Sequence, residues 1–168
     1  MEPLRGERVA LRPLAESDRA EIRRILGDPT VARWWGPGGL EMRVDEWFGD
    51  DGTVRFAIEL DDRVVGTVQF HEENEPDYRH AGLDIFLDAE HQRKGLGSDA
   101  LRTLARYLFE VRGHHRLTID PSAANERAIR AYRRIGFRSV GVMRRYERGA
   151  DGSFHDGLLM DLLADDLT

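Results

Sequence analysis

The chain has 168 residues, 40% hydrophobic and 33% charged, the profile of one globular domain at about 150 residues per domain. Its 31 acidic and 25 basic residues give a net charge of −6, which argues against a general nucleic-acid binder relying on Lys and Arg. No cysteine occurs, which excludes a disulfide scaffold, a thiol nucleophile and any metal site built on sulfur. The segment Met1 to Arg8 lacks the apolar core of a signal peptide, and no later run approaches the roughly 18 apolar residues of a membrane span. These features predict a cytoplasmic protein without nucleic-acid or membrane partners, organised as one domain over residues 1–168.

Val9 and Leu11 predict a first strand, stopped by Pro13. Ser17 predicts the cap of a helix to about Leu26, with Ile22, Ile25 and Leu26 inward and Gly27-Asp28-Pro29 ending it. Trp34 to Gly39 reads as a loop and Leu40 to Phe48 as a short helix. Phe56–Leu60 and Val64–Phe70 predict two strands joined at Asp61-Asp62 by a tight hairpin. A polar loop, His71 to Arg79, leads into a fourth strand, Ala81–Leu87. Leu96, Ala100, Leu101, Leu104, Ala105, Leu108 and Phe109 follow helical spacing to about Val111, and Gly113 stops them. Leu117–Asp120 reads as a fifth strand, and Asn125 caps a helix through Ile135 with Gly136 just past its end. Strands at Ser139–Tyr146 and Leu158–Leu162, around an Asp151-Gly152 turn, close the chain. The order predicts an α/β domain of the α+β kind.

Charge is unevenly placed. His71 to Asp88 holds six acidic residues and one arginine, while Glu126 to Arg148 holds eight arginines and two glutamates. One region suits cations and the other phosphates. Gln92-Arg93-Lys94-Gly95-Leu96-Gly97 lies between a strand and a helix start, where uncovered N–H groups and the helix dipole favour an anion. Neither the Walker spacing nor the dinucleotide fingerprint is present. The histidines never take an H-x-x-x-H spacing, so no metal site is expected.

The Q-x-x-G-x-G loop, followed by N-x-x-A-x-x-x-Y-x-x-x-G-F from Asn125 to Phe137, resembles the acetyl-CoA signature of the GNAT acetyltransferase superfamily. The resemblance runs from about Leu4 to the C-terminus. It implies a mixed, mostly antiparallel sheet splayed between the fourth and fifth strands, with helices on both faces. It implies a pantetheine arm against the main chain of Ile85, Phe86 and Leu87, and a pyrophosphate on N–H groups around Gln92, Arg93, Lys94, Gly95, Leu96, Gly97 and Ser98. Asn125 matches the family's cofactor-contacting asparagine and Tyr132 its tyrosine beside the thioester sulfur.

Trp34-Trp35-Gly36, Gly82-Leu83-Asp84 and Asp120-Pro121 are, within that superfamily, similar to aminoglycoside 6′-N-acetyltransferases. That likeness implies an acceptor site lined by Asp84 and Asp120, with Trp34, Trp35 and the acidic loop of Glu72, Glu73, Glu75 and Asp77 holding a polycation. The same likeness makes the substrate an aminoglycoside amine, with a polyamine, a protein N-terminus or a siderophore precursor as alternatives. A non-catalytic acyl-CoA-binding module is the reading from another class. Acetyl-CoA is the expected co-substrate, without a metal, in a monomer or homodimer.

An aliphatic amine has a pKa of about 10, so acylation near neutral pH requires a group to take its proton. Asp84 and Asp120, near the ends of neighbouring strands, suit that task. The expectation is Asp84 as proton acceptor, Asp120 as the group orienting the amine, and Tyr132 as the donor to the leaving thiolate. Without a cysteine, direct transfer in a ternary complex is the simpler course.

Overall fold

In the computed structural model, which describes Met1–Thr168, a two-residue strand β1 (Leu4–Arg5) pairs with β2 (Ala10–Pro13). The helix expected from Ser17 begins later. A 3-10 turn at Glu16–Asp18 precedes α1 (Arg19–Leu26), because Asp18 accepts the Ala15 N–H at 2.9 Å and two bonds from Arg12. A one-turn helix α2 (Pro29–Ala32), capped by Asp28, and α3 (Leu40–Trp47) follow. The hairpin β3 (Val54–Leu60) and β4 (Arg63–Glu73) turns through Asp61 and Asp62, both left-handed at φ of 50° and 63°. Two such residues make the turn whose twist matches the flanking strands.

Next come β5 (His80–Leu87), α4 (Leu96–Glu110), β6 (Arg116–Ile119) and α5 (Glu126–Ile135). A long hairpin, β7 (Arg138–Arg148) and β8 (Phe154–Leu163), completes the fold. The eight strands form one sheet in the order β1-β2-β3-β4-β5-β6-β8-β7, antiparallel except where β5 meets β6. This is the mixed, mostly antiparallel sheet that was expected, with β1 as an addition that sequence periodicity over two residues cannot signal.

The alternation of side chains along the strands divides the core between two faces. On one face Val68, Phe70 and Leu83 pack with Leu101, Leu104 and Leu108 of α4 and Ile129 and Ile135 of α5. On the other, Phe86 packs with Ile22, Ile25 and Leu26 of α1, Val44 and Trp47 of α3, and Val31. No helix is long and apolar enough to cross a membrane.

Candidate active site

β5 and β6 pair at only two positions, Ala81 with Leu117 and Gly82 with Thr118. Beyond them the strands part, while β5 keeps its bonds to β4 as far as the Gly66–Leu87 pair and β6 keeps its bonds to β8. The inner edges of both strands therefore face an opening. That opening is a cleft of about 800 Å³, lined by Asp84, Ile85, Phe86 and Leu87 from β5 and by Ile119 and Asp120 opposite.

Asp84 Oδ2 accepts from the Gln69 amide at 3.0 Å, and Gln69 in turn accepts from Arg55 at 3.0 Å. Asp120 Oδ2 accepts from the Tyr146 hydroxyl at 2.5 Å. Burial pushes the Asp120 carboxyl above the usual aspartate range, and the Asp84 charge adds to it, against the lowering effect of Tyr146 and His71. Glu147 also lines the cleft, raised by burial and by the charges of Asp120 and Asp84. Tyr132, half-buried on α5, is pushed well up by burial and by the same two aspartates, so its phenol stays protonated.

Glu147 reaches the cleft, and Tyr146 reaches Asp120, because β7 bulges. Met143 pairs with Gly157 and Glu147 with His155, leaving Arg144 to Tyr146 opposite Asp156 alone. Arg145 takes a left-handed φ of 47°, with its N–H bound to Asp156 Oδ1 at 2.8 Å. Bulges of this kind re-aim side chains at sites.

The far part of the cleft has the opposite polarity. Gly95 adopts φ +78°, which an L side chain resists, and turns the chain into α4. The N–H groups from Arg93 through Ser98 make no backbone hydrogen bond, and the last three belong to the first turn of the helix. Arg93, Arg127, Arg130 and Arg134 line the same part. Gln92 donates to the Leu87 carbonyl at 3.0 Å and accepts from Arg127 at 2.5 Å, which ties loop, β5 and α5 together. This end of the cleft suits a phosphate-bearing ligand and the other end an ammonium.

The model of the acetyltransferase (GNAT) domain matches residues 8–138 of the chain. This chain belongs to the GNAT acetyltransferase family. It is 29% identical over 158 residues to spermidine N(1)-acetyltransferase of Escherichia coli strain K12, covering 90% of this chain and 84% of that protein. It is also 29% identical over 160 residues to aminoglycoside N(6′)-acetyltransferase type 1 of Klebsiella pneumoniae, covering 82% of this chain and 78% of the relative. Among solved structures, spermidine N-acetyltransferase from Vibrio cholerae in complex with CoA and spermine superposes at TM-score 0.79 and 23% identity. That match covers 95% of this chain and 97% of the other, and it shows the shared fold.

Within this acetyltransferase, Asp84, Asp120, Tyr132, Ile85, Phe86, Leu87, Gln92, Arg93, Gly95, Gly97, Ser98, Asn125, Trp34 and Trp35 all line the one cleft. Trp35 stands edge-on to Trp47 at 5.4 Å and to Phe86 at 5.6 Å, and Arg33 stacks on Trp34 at 4.4 Å. Lys94 and Leu96, expected through their N–H groups, turn their side chains away from the cleft. Leu96 is buried in the core, and the Lys94 carbonyl accepts from Arg8 while its side chain stays off the cleft wall.

Glu72, Glu73 and Asp77 are not in the cleft. Asp84 pairs with Gln69 across β4, and Glu72, three residues on, points to the opposite face by the period of two. There it accepts from Arg112 at 2.6 Å and meets His114 at 2.8 Å, and Arg112 holds its carboxyl down at about 2. Glu73 accepts the Glu75 N–H at 2.8 Å in the following turn, and Asp77 is exposed. The cleft takes its further acids from Glu147 and from Glu46 of α3. Sequence reasoning missed Tyr146 and Glu147 because a bulge depends on pairing; Gly157 inside a strand was the one available signal.

Proposed function

We propose that the enzyme transfers the acetyl group of acetyl-CoA to a primary amine of a small polycation. The observation that carries this reading is the polarity of the single cleft. Asp84, Asp120 and Glu147, close enough for their charges to act on one another, line one part, and free N–H groups with arginines line the other. The Arg93–Ser98 N–H groups fit the pyrophosphate, and the open inner edge of Leu83–Leu87 fits the amide groups of pantetheine.

The amine arrives as an ammonium and gives one proton to the aspartate pair. Its nitrogen then attacks the thioester carbonyl carbon, the C–N bond forms and the C–S bond breaks. The second proton leaves the nitrogen as the amide forms and replaces the one that Tyr132 gives to the thiolate, while the first passes from the aspartates to solvent. The net products are amide, thiol and one proton released to solvent. Sequence reasoning assigned acceptance to Asp84 and orientation to Asp120. Burial supports the reverse, because a raised carboxyl is a fitter proton acceptor near neutral pH than an ordinary aspartate.

An aminoglycoside amine, at the 6′ position, is the acceptor first expected, and the likeness of the Trp34-Trp35 and Asp120-Pro121 segments supports it. A polyamine is the second reading, favoured by the relatives that act on spermidine. CoA release with acetyl-CoA against kanamycin, tobramycin, spermidine and N-terminal peptides separates them. Turnover on kanamycin, absent on its 6′-hydroxyl analogue, is the result expected for the first reading. Turnover on spermidine alone establishes the second, and turnover on peptides alone overturns both.

A further inference from the structure

We infer that Tyr146 is a positioning residue that holds the Asp120 carboxylate in its reactive orientation, and that the β7 bulge exists in this fold to place it. The inference rests on the reading of Asp120 as the group that takes the amine's proton.

Three observations carry it. The Tyr146 hydroxyl donates to Asp120 Oδ2 at 2.5 Å, which fixes one carboxylate oxygen and leaves Oδ1 for an ammonium. A regular register pairs residues one to one, whereas the three residues Arg144 to Tyr146 lie opposite Asp156 alone, an excess of two on β7. The third is the fit of Gly157. A Cβ at that position would stand 2.8 Å from Cδ2 of the Tyr146 ring, so the strand beneath the ring is shaped to receive it. Gly157 also bridges to Ser122, two residues beyond Asp120, and the Leu158 N–H bonds to the Pro121 carbonyl at 2.9 Å. Ring, bulge and the Asp120 turn are thus built as one unit.

The groups that set the charge state of Asp120 come from several elements. They are Asp84 on β5, His71 on β4, and Tyr146 itself. Glu147 on β7 and Tyr132 on α5 face it as well. Among them Tyr146 is the one bonded to it by its side chain. A donor to the ionised form favours that form. Removing the hydroxyl therefore raises the pH at which Asp120 loses its proton, and the acid limb of the rate profile moves to higher pH.

The test compares wild type, Tyr146→Phe and Asp120→Asn by carbon-13 titration of aspartate carboxyls, alongside kcat and KM as functions of pH. Asp120→Asn identifies the resonance. The expected result for Tyr146→Phe is an upward move of about one pH unit in both the Asp120 titration and the acid limb. The same variant should lose about tenfold or more in kcat/KM for the amine, with KM for acetyl-CoA retained. An Asp120 titration that stays in place overturns the inference. A titration that moves without the rate profile following upholds the hold of Tyr146 on Asp120 and overturns the placement of the proton there. Gly157→Ala should move the titration in the same direction, and in a Tyr146→Ala background it should move nothing further. An equal effect of Gly157→Ala in both backgrounds overturns the role given to the bulge.

Discussion

Asp84 and Asp120 occupy equivalent register positions on strands that have just separated. Each lies two residues past the final parallel pair, Gly82 with Thr118, so both side chains emerge on one face at the mouth of the cleft. After burial, the charge of Asp84 helps to hold the Asp120 carboxyl above the usual aspartate range. Asp120→Asn should lower kcat/KM for the amine by about 10²- to 10⁴-fold, the usual share of a general base. KM for acetyl-CoA should hold. Steady-state CoA release with each substrate varied checks both, and an unchanged kcat/KM removes Asp120 from the chemistry.

The Tyr132 hydroxyl is bonded to no other side chain, and burial and the charges of Asp84 and Asp120 keep it protonated. The phenol is therefore free to serve the leaving sulfur. Tyr132→Phe should cut kcat by about a hundredfold while calorimetry shows CoA binding unchanged. Loss of CoA affinity with kcat intact would instead make it a packing residue.

At Gly95 the left-handed φ of +78° costs an L residue about 1–2 kcal/mol. In Gly95→Ala that cost either strains the loop or turns N–H groups away from the anion. KM for acetyl-CoA should rise about tenfold, the equivalent of roughly 1.4 kcal/mol, with kcat at saturation little changed. A rise in KM for the amine alone would contradict this assignment of the cleft.

Glu147 lines the cleft from β7, near enough to Asp120 and Asp84 for their charges to act on its carboxyl. Glu147→Gln should raise KM for spermidine or kanamycin about fivefold, and by less at high salt. A monoamine of similar size should be unaffected. Equal losses on both would show that Glu147 shapes the site rather than attracting charge.

Asp99 accepts the N–H groups of Glu7, Arg8 and Val9 at 2.9, 2.8 and 2.9 Å, stapling the N-terminal segment to the first turn of α4. Burial works against its charge, but the three N–H bonds outweigh that and its carboxyl is lowered. A lowered folded-state pKa means the staple is fully present above the unfolded value of about 3.9. It is lost as pH falls from there through the folded value. Asp99→Ala should destabilise by about 1–3 kcal/mol, since the buried Val9 N–H and the part-buried Glu7 and Arg8 N–H groups lose their acceptor. Thermal unfolding at pH 7 and pH 3 measures it, and the gap between variant and wild type should narrow at the lower pH.

Much of this was legible from sequence because it is local. Helical spacing from Leu96 to Leu108, the Asp61-Asp62 hairpin, the Asn125 cap and the Gly95 turn are all decided by residues within one or two turns of each other. The cleft lining from Ile85 to Ser98, with Asn125 and Tyr132, follows from those same local segments and their resemblance to the family. The start of α1 was misplaced by a residue or two. Its cap is set by Asp18 reaching Arg12 on a neighbouring strand, a contact beyond the helix itself.

The sequence by itself determined the main elements, their order and the family, and it singled out Asp84, Asp120 and Tyr132, which line one cleft. Which acids line the cleft was decided only by the tertiary structure. Glu72 is close to Asp84 in sequence and across the β4–β5 pair, yet strand alternation sends it to the opposite face, where Arg112 binds it. Glu46 and Glu147, and the Tyr146 that bonds Asp120, are distant in sequence and arrive through helix packing and a strand bulge. Side-chain direction in a sheet depends on register, and register depends on partners that no single segment contains.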